Sequence, residues 1–200
     1  MATPLDFYFD FSSPYGYIAS HLVDNLAAKH GRTVVWHPIL LGAIFKTTGM
    51  APLIGIPLKG EYTLKDFPRT AKFYGVDVAA LPDDFPFSSI HAVRAFTWLQ
   101  PDQPGKAHDL ARALLDRAFS GHPINSAELV ADVATSIGID RDTLLKAIED
   151  PAVKDRVRVE NDAAIALGVF GSPFVIADGE PFWGVDRFVQ LDKWLETGGW

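Results

Sequence analysis

Ser13-Pro14-Tyr15-Gly16 stands between a stretch that alternates like a strand and one that repeats like a helix. Serine then proline is the ordinary opening of a helix, with serine as N-cap and proline at the first helical position. The same place also offers chemistry. Free first-turn amides and the positive end of the helix dipole bind anions. A bound thiol there ionises more readily, as cysteines at helix N-termini do. A serine hydroxyl donating to the thiolate contributes about 1.5–3 kcal/mol, or about one to two pKa units. The chain has no cysteine, so any sulfur must arrive on a bound molecule. No histidine lies near Ser13 in sequence, so no Ser-His-Asp triad is implied.

The second candidate segment is Gly168-Val169-Phe170-Gly171-Ser172-Pro173-Phe174. A proline at the head of a strand is usually an edge or turn residue. A cis Ser172–Pro173 bond would be a deliberate feature, leaving the backbone of residues 169–172 free to pair with an extended ligand. Tyr62 and Tyr74 either line a cleft or belong to the core. His91 and Arg94 lie one helical turn apart, where an aryl carboxylate would suit the arginine. Lys46, Lys65, Arg69 and Lys72 read as a solvated helix face. Asp10 is either a partly buried carboxylate near Ser13 or a solvated sheet-edge residue. The six histidines are scattered, and none pairs with Asp or Glu at metal-ligand spacing.

Positioning these groups requires a strand, an elbow and a helix. Leu5 to Phe11 alternates at period two. Ile18, Leu22 and Leu26 then recur at four-residue steps, predicting one helix that stops at Gly31. Residues 33–39, β-branched and aromatic, predict a second strand, and the order strand, helix, strand argues for a parallel βαβ unit. Helices follow at about 42–48, 59–74, 88–98 with Ser88 as cap, 105–119, 126–137, 141–149 and 152–167, with loops at 49–57 and 81–87. Asp140 reads as a cap. Residues 173–177 form a strand, Asp178-Gly179 a two-residue hairpin turn, Pro181-Phe182-Trp183 its partner, and 186–195 a closing helix.

Two hundred residues, 48% hydrophobic and 22% charged, fit one soluble α/β unit with an insertion. The net charge of −7 argues against a nucleic-acid or anionic-membrane surface. The start has no basic n-region or apolar h-region, and no apolar run is long enough to span a bilayer, so a cytoplasmic protein is expected. The lack of cysteine removes disulfides, thiolate zinc sites and a protein-borne redox couple.

Residues 7–17, with Gly168-Val169-Phe170-Gly171-Ser172-Pro173 and Phe182-Trp183-Gly184-Val185-Asp186-Arg187, resemble the DsbA-like thioredoxin superfamily along the whole chain. Within it the similarity is to 2-hydroxychromene-2-carboxylate isomerases and kappa-class glutathione transferases. The resemblance implies a thioredoxin-like domain from 1–40 and 165–200, interrupted by an α-helical domain from 41–164. It implies glutathione as cofactor, with the catalytic Ser13 hydrogen-bonding its sulfur and Lys59 reaching its glycyl end. Phe170 and the backbone through Ser172 to Pro173 would meet the cysteinyl unit. Asp186, with the amide at Val185, would meet the γ-glutamyl end. Tyr62, His91 and Arg94 are the substrate-side candidates. Two positions depart from the pattern: Val185 replaces a serine or asparagine, and Met50 often replaces an asparagine.

The activity so implied is glutathione-dependent interconversion of 2-hydroxychromene-2-carboxylate, or a related chromene, and trans-o-hydroxybenzylidenepyruvate. It belongs to aromatic catabolism and proceeds by reversible thiolate addition in a homodimer. The alternatives are a kappa-like transferase that conjugates electrophiles, and a non-catalytic DsbA-like ligand-binding module. No metal, nucleic acid or membrane partner is expected.

Overall fold

The computed structural model describes residues 3–79, 81 and 85–200. The chain opens with β1 (Leu5–Phe9), α1 (Pro14–Ser20), α2 (Val23–Lys29) and β2 (Val34–Pro38). Seven helices follow: α3 (Leu41–Thr48), α4 (Lys59–Phe73), α5 (Ile90–Leu99), α6 (Pro104–Phe119), α7 (Ala127–Ser136), α8 (Arg141–Ala147) and α9 (Pro151–Ala166). β3 (Phe174–Ala177), β4 (Glu180–Trp183) and α10 (Phe188–Thr197) complete the chain. Short 3₁₀ turns lie at Leu53–Gly55 and Val185–Arg187. The loop expected over residues 81–87 falls partly outside the described residues.

The sheet order is β2-β1-β3-β4. β1 pairs parallel with β2 and antiparallel with β3, and β4 closes the edge antiparallel to β3. The period-two reading of β1 explains its two faces. Leu5, Phe7 and Phe9 point into one core, where Trp36 meets Phe7 at 5.0 Å and Phe9 at 5.2 Å, both edge to face. Tyr8 points to the opposite face and packs with Ile39, Ile44, Ala164 and Phe174. The larger core continues into the inserted helices through Phe96 and Phe119, which contact Phe9 and Tyr17. The sheet and the helical segment therefore share one apolar interior.

Asp178 (φ 53°) and Gly179 (φ 89°) make the β3–β4 turn, the two-positive-φ geometry that Asp-Gly favours. Pro181 lies on the edge strand, where a missing N–H breaks no interior ladder.

Three expected boundaries shift for identifiable reasons. The first helix is interrupted. Ser20 Oγ bonds the Tyr17 carbonyl at 2.7 Å and Arg112 bonds the Ser20 carbonyl, so side chains cap α1 before α2 restarts. The cap of α5 is Ser89 rather than Ser88, and the Ser89 hydroxyl bonds Asp10 instead of its own helix. The closing helix begins at Phe188, because Val185–Arg187 turns as 3₁₀ first. By contrast, Asp140 caps α8 as expected, accepting from the Thr143 amide at 2.9 Å.

Asp24 ties α2 to both β2 and α6, accepting from Trp36 Nε1 at 3.1 Å and meeting His108 Nε2 at 3.0 Å. Burial pushes its carboxyl up, but the His108 and Trp36 hydrogen bonds outweigh this and hold it below the usual 3.8. A carboxyl depressed by folding leaves the unfolded chain to take up the proton first as pH falls. Its stabilisation is thus present at neutral pH and is lost as pH drops through the folded-state value. Urea midpoints of Asp24→Asn are expected to fall less between pH 6 and pH 3 than those of the wild type.

Candidate active site

Ser13 leaves β1 in an extended conformation (φ −89°, ψ 114°) and caps α1, its Oγ accepting from the Gly16 amide at 3.0 Å. Pro14 takes the first helical position. The Ser13 hydroxyl donates to the Ser172 carbonyl at 3.0 Å, across 159 residues of sequence. The Ser172–Pro173 peptide is cis. The elbow and the proline loop therefore meet, as the resemblance implies. Among the described residues, the amides of Phe170, Gly171 and Ser172 donate no main-chain hydrogen bond, whereas the Pro173 carbonyl accepts from Gly184 at 3.0 Å. That segment presents an unpaired main-chain edge.

Gly16 is where backbone and side chains come closest. A Cβ there would stand 2.7 Å from Ser172 Oγ and 2.9 Å from Ser13 Cβ. Only hydrogen fits in the gap between the two serines.

Beneath them lies Asp10, 2% exposed, a group whose importance sequence alternation left unresolved. Its Oδ1 accepts from the Ser12 amide and hydroxyl, both at 2.8 Å, and its Oδ2 accepts from the Leu41 amide at 2.7 Å. The Ser89 hydroxyl is a further partner. Burial raises its pKa above the usual range, and these donors counter part of that rise. The Asp10 amide also donates to Ser172 Oγ at 3.1 Å.

The far side of the elbow is covered by α4. Tyr15, which follows Pro14, donates to Asp66 at 2.6 Å. Burial, and then the Asp66 hydrogen bond and charge, push the Tyr15 phenol well up. Asp66 also pairs with Arg69, which donates to the Tyr62 hydroxyl at 3.1 Å and covers its ring at 5.6 Å. Tyr62 is thereby linked to the elbow while remaining more than half exposed. At the end of α4, the Tyr74 hydroxyl donates to the Val185 carbonyl at 3.1 Å. Tyr15, Asp66 and Tyr74 are the positioning groups that sequence patterning did not single out for these tasks; their partners are distant in the chain.

Lys59 is exposed at the start of α4 and makes no ion pair among the described residues. Val185 is buried and Asp186 exposed, the latter bonded to its neighbour Arg187 at 2.9 Å. Gly184 precedes them at φ 101°, and a Cβ there would stand 2.4 Å from Asp186 Oδ1. The dihedral calls for glycine, and a Cβ there would push the exposed Asp186 carboxylate aside. Phe170 packs edge to face on Trp183 at 4.8 Å and on Phe174 at 5.3 Å.

Among the described residues, no hydrogen bond or ion pair joins His91 or Arg94 to this group. Arg94 Nη1 reaches the Ile148 carbonyl at 3.4 Å and Glu149 at 3.5 Å, both from the end of α8. It also lines a groove of about 190 Å³ with Leu40, Val157 and Asn161. His91 Nδ1 is buried without a hydrogen-bond partner. The helical spacing did put the two on α5, and the hydrogen bonds of Arg94 lead to residues 148–149. Among the described residues, no three His, Cys, Asp or Glu side chains are grouped to hold a metal ion. No described helix is long and apolar enough to cross a membrane.

A mixed four-stranded sheet, a serine elbow capping the helix after β1 and a cis-proline loop before β3 define a thioredoxin-like protein with a serine and a glycine where paired thiols are usual. The chain belongs to the DSBA-like thioredoxin domain family, whose model matches residues 4–196. It is 28% identical over 203 residues to a 2-hydroxychromene-2-carboxylate isomerase of Sphingobium xenophagum, covering 98% of this chain and 99% of the relative. It is 27% identical to glutathione S-transferase kappa 1 of Rattus norvegicus, covering 96% and 92% of the two chains. A solved 2-hydroxychromene-2-carboxylate isomerase superposes with a TM-score of 0.85 at 26% identity, covering 96% of this chain and 94% of its own. The resemblance read from the elbow and loop motifs is thus met at the level of family and fold.

The Gly16 packing gives a direct check. Gly16→Ala is expected to force Ser13 and Ser172 apart at a cost of about 1–3 kcal/mol, the usual range for overpacking. The check is the urea midpoint, together with faster hydrogen exchange at the Gly16 amide as its Ser13 cap loosens.

Proposed function

We propose that this chain is a glutathione-dependent isomerase acting on 2-hydroxychromene-2-carboxylate or a closely related chromene. The observation that carries the reading is the Ser13 hydroxyl at the N-terminus of α1, facing a cis-proline loop in a chain without cysteine. The relatives that bear the names of this isomerase and of kappa-class transferases cover almost the whole chain.

The donor set suits a γ-glutamyl tripeptide. Lys59 offers an uncommitted cation for the glycyl carboxylate. The unpaired edge before Pro173 offers main-chain groups for the cysteinyl unit. Asp186 offers a carboxylate for the γ-glutamyl ammonium, in the geometry that Gly184 permits. At Val185 only the backbone is available, since its side chain is apolar and buried. Glutathione, when bound, supplies the nucleophilic sulfur and is regenerated.

The protein's own part is electrostatic. Ser13 and the positive end of the α1 dipole hold negative charge on the sulfur, as donors of an oxyanion hole do for oxygen. α4, fastened at Tyr15 and Tyr74, keeps Lys59 and the 185–186 turn in register with the elbow. Tyr62, exposed on this strap and linked to the elbow through Arg69 and Asp66, is assigned to the substrate's ring.

The test is spectrophotometric turnover of 2-hydroxychromene-2-carboxylate with and without glutathione. Turnover is expected to require glutathione, and Ser13→Ala is expected to lower kcat by about 10²–10³, the loss typical of one such donor. Conjugation of a halonitrobenzene without chromene isomerisation would favour the kappa-like transferase instead. Absence of both activities and of glutathione binding would leave a non-catalytic module.

Gly184→Ala probes the opposite end of the ligand. Displacing the Asp186 carboxylate removes a charge-assisted hydrogen bond. The dissociation constant for glutathione, measured by titration calorimetry, is expected to rise about tenfold, with kcat at saturating glutathione little changed.

A further inference from the structure

Ser172 brings two hydrogen-bonding groups to the elbow, and the Ser13 interaction uses only its carbonyl. Its hydroxyl oxygen accepts the Asp10 amide at 3.1 Å. A serine hydroxyl has one proton to donate as well as lone pairs to offer, and the Ser172 proton has no acceptor among the described residues. The Ser13 hydroxyl differs, because its single proton is directed at the Ser172 carbonyl. To serve a ligand it must turn away from that carbonyl, whereas Ser172 is free to donate as it stands.

Position matters as much as freedom. The two hydroxyl oxygens lie 2.7 Å (Ser172) and 3.1 Å (Ser13) from the point where a Gly16 Cβ would stand. Both therefore border the same small space in the first turn of α1. Ser172 is only half-buried, whereas Ser13 is 4% exposed. Its oxygen is also fixed, because the Asp10 amide that holds it belongs to a residue anchored by its own buried carboxylate. A donor held in place before the ligand arrives requires little reorganisation when negative charge appears.

We infer that Ser172 is a second catalytic hydroxyl, donating a hydrogen bond to the same bound sulfur that Ser13 serves. The assignment rests on the glutathione reading and deepens it: the thiolate is held by a pair of serines from opposite ends of the chain. Loss of either donor leaves the other and the helix terminus in place, so the two contribute in steps.

The experiment is a pH titration of the ultraviolet thiolate absorbance of protein-bound glutathione. It uses the wild type, Ser172→Ala, Ser13→Ala, the double variant and Ser172→Thr. Binding is first established by calorimetry. Each single alanine variant is expected to raise the bound thiol's pKa by about one to two units, the value of one hydrogen bond to a charged group. The double variant should exceed both, and Ser172→Thr, which keeps the hydroxyl, should stay near the wild type. A merely structural role for Ser172 would change the melting temperature without moving the thiol.

The assignment is overturned if Ser172→Ala binds glutathione with the wild-type thiol pKa, or if Ser13→Ala already matches the double variant. Glutathione that fails to bind the wild type overturns the functional reading and this assignment with it. Binding with an unshifted thiol overturns the serine pair alone. Should Ser172→Ala not fold, Ser172→Val against Ser172→Thr makes the same comparison between side chains of nearly equal shape, and an equal thiol pKa in that pair overturns the assignment.

Discussion

The Asp10 carboxylate is the interaction on which the remaining arrangement depends. A carboxylate taken out of water is costly unless donors replace the lost solvation. Here they come from the elbow (Ser12), from the start of α3 (Leu41) and from the start of α5 (Ser89). The main chain of the same residue accepts the Ser13 amide at 2.9 Å and donates to Ser172 Oγ. One residue at the end of β1 thereby joins the elbow, two inserted helices and the proline loop. The demand for complete satisfaction of a buried charge permits few alternative packings, and this gives the site its rigidity.

Outward from that junction, α4 acts as a strap. Its middle is fastened to the elbow by Tyr15–Asp66 and its end to the 185–186 turn by Tyr74. Gly60 lets its first turn press against the 3₁₀ segment before it, since a Cβ there would stand 2.4 Å from the Ile54 carbonyl oxygen. The strap is consequently held by polar contacts at the site and by close backbone packing at its far end. The exposed Lys59 and Tyr62 gain defined positions although neither is itself buried.

Much of this was legible in the chain. Alternation from Leu5 onwards, the Ser-Pro elbow, the Asp-Gly turn and the apolar periodicities gave the elements in order, because each is a local preference acting on nearby residues. The elbow and proline loop could be matched because their signatures are short and contiguous. The rest was not legible for a physical reason. The burial of Asp10, the tie from Tyr74 to Val185 and the diversion of Ser89 from capping to Asp10 are contacts between residues far apart in sequence, and no local pattern encodes them. Arg94 shows the same limit from the other direction. Helical spacing correctly put it beside His91, yet which neighbour each side chain meets is decided by α8 and α9.

The absence of a side chain at Gly16 has a consequence for redox chemistry on this scaffold. In a fold of this kind the fourth position of the elbow is where a resolving thiol would stand, and here Ser172 Oγ borders that space. A cysteine placed at position 13 alone would be a lone nucleophile with no partner to close a disulfide. Restoring the partner at position 16 would first require the loop before Pro173 to retreat. The packing therefore adds a third requirement to the two side-chain exchanges: a thiol pair at 13 and 16 would also need Ser172 to give up its place beside residue 16.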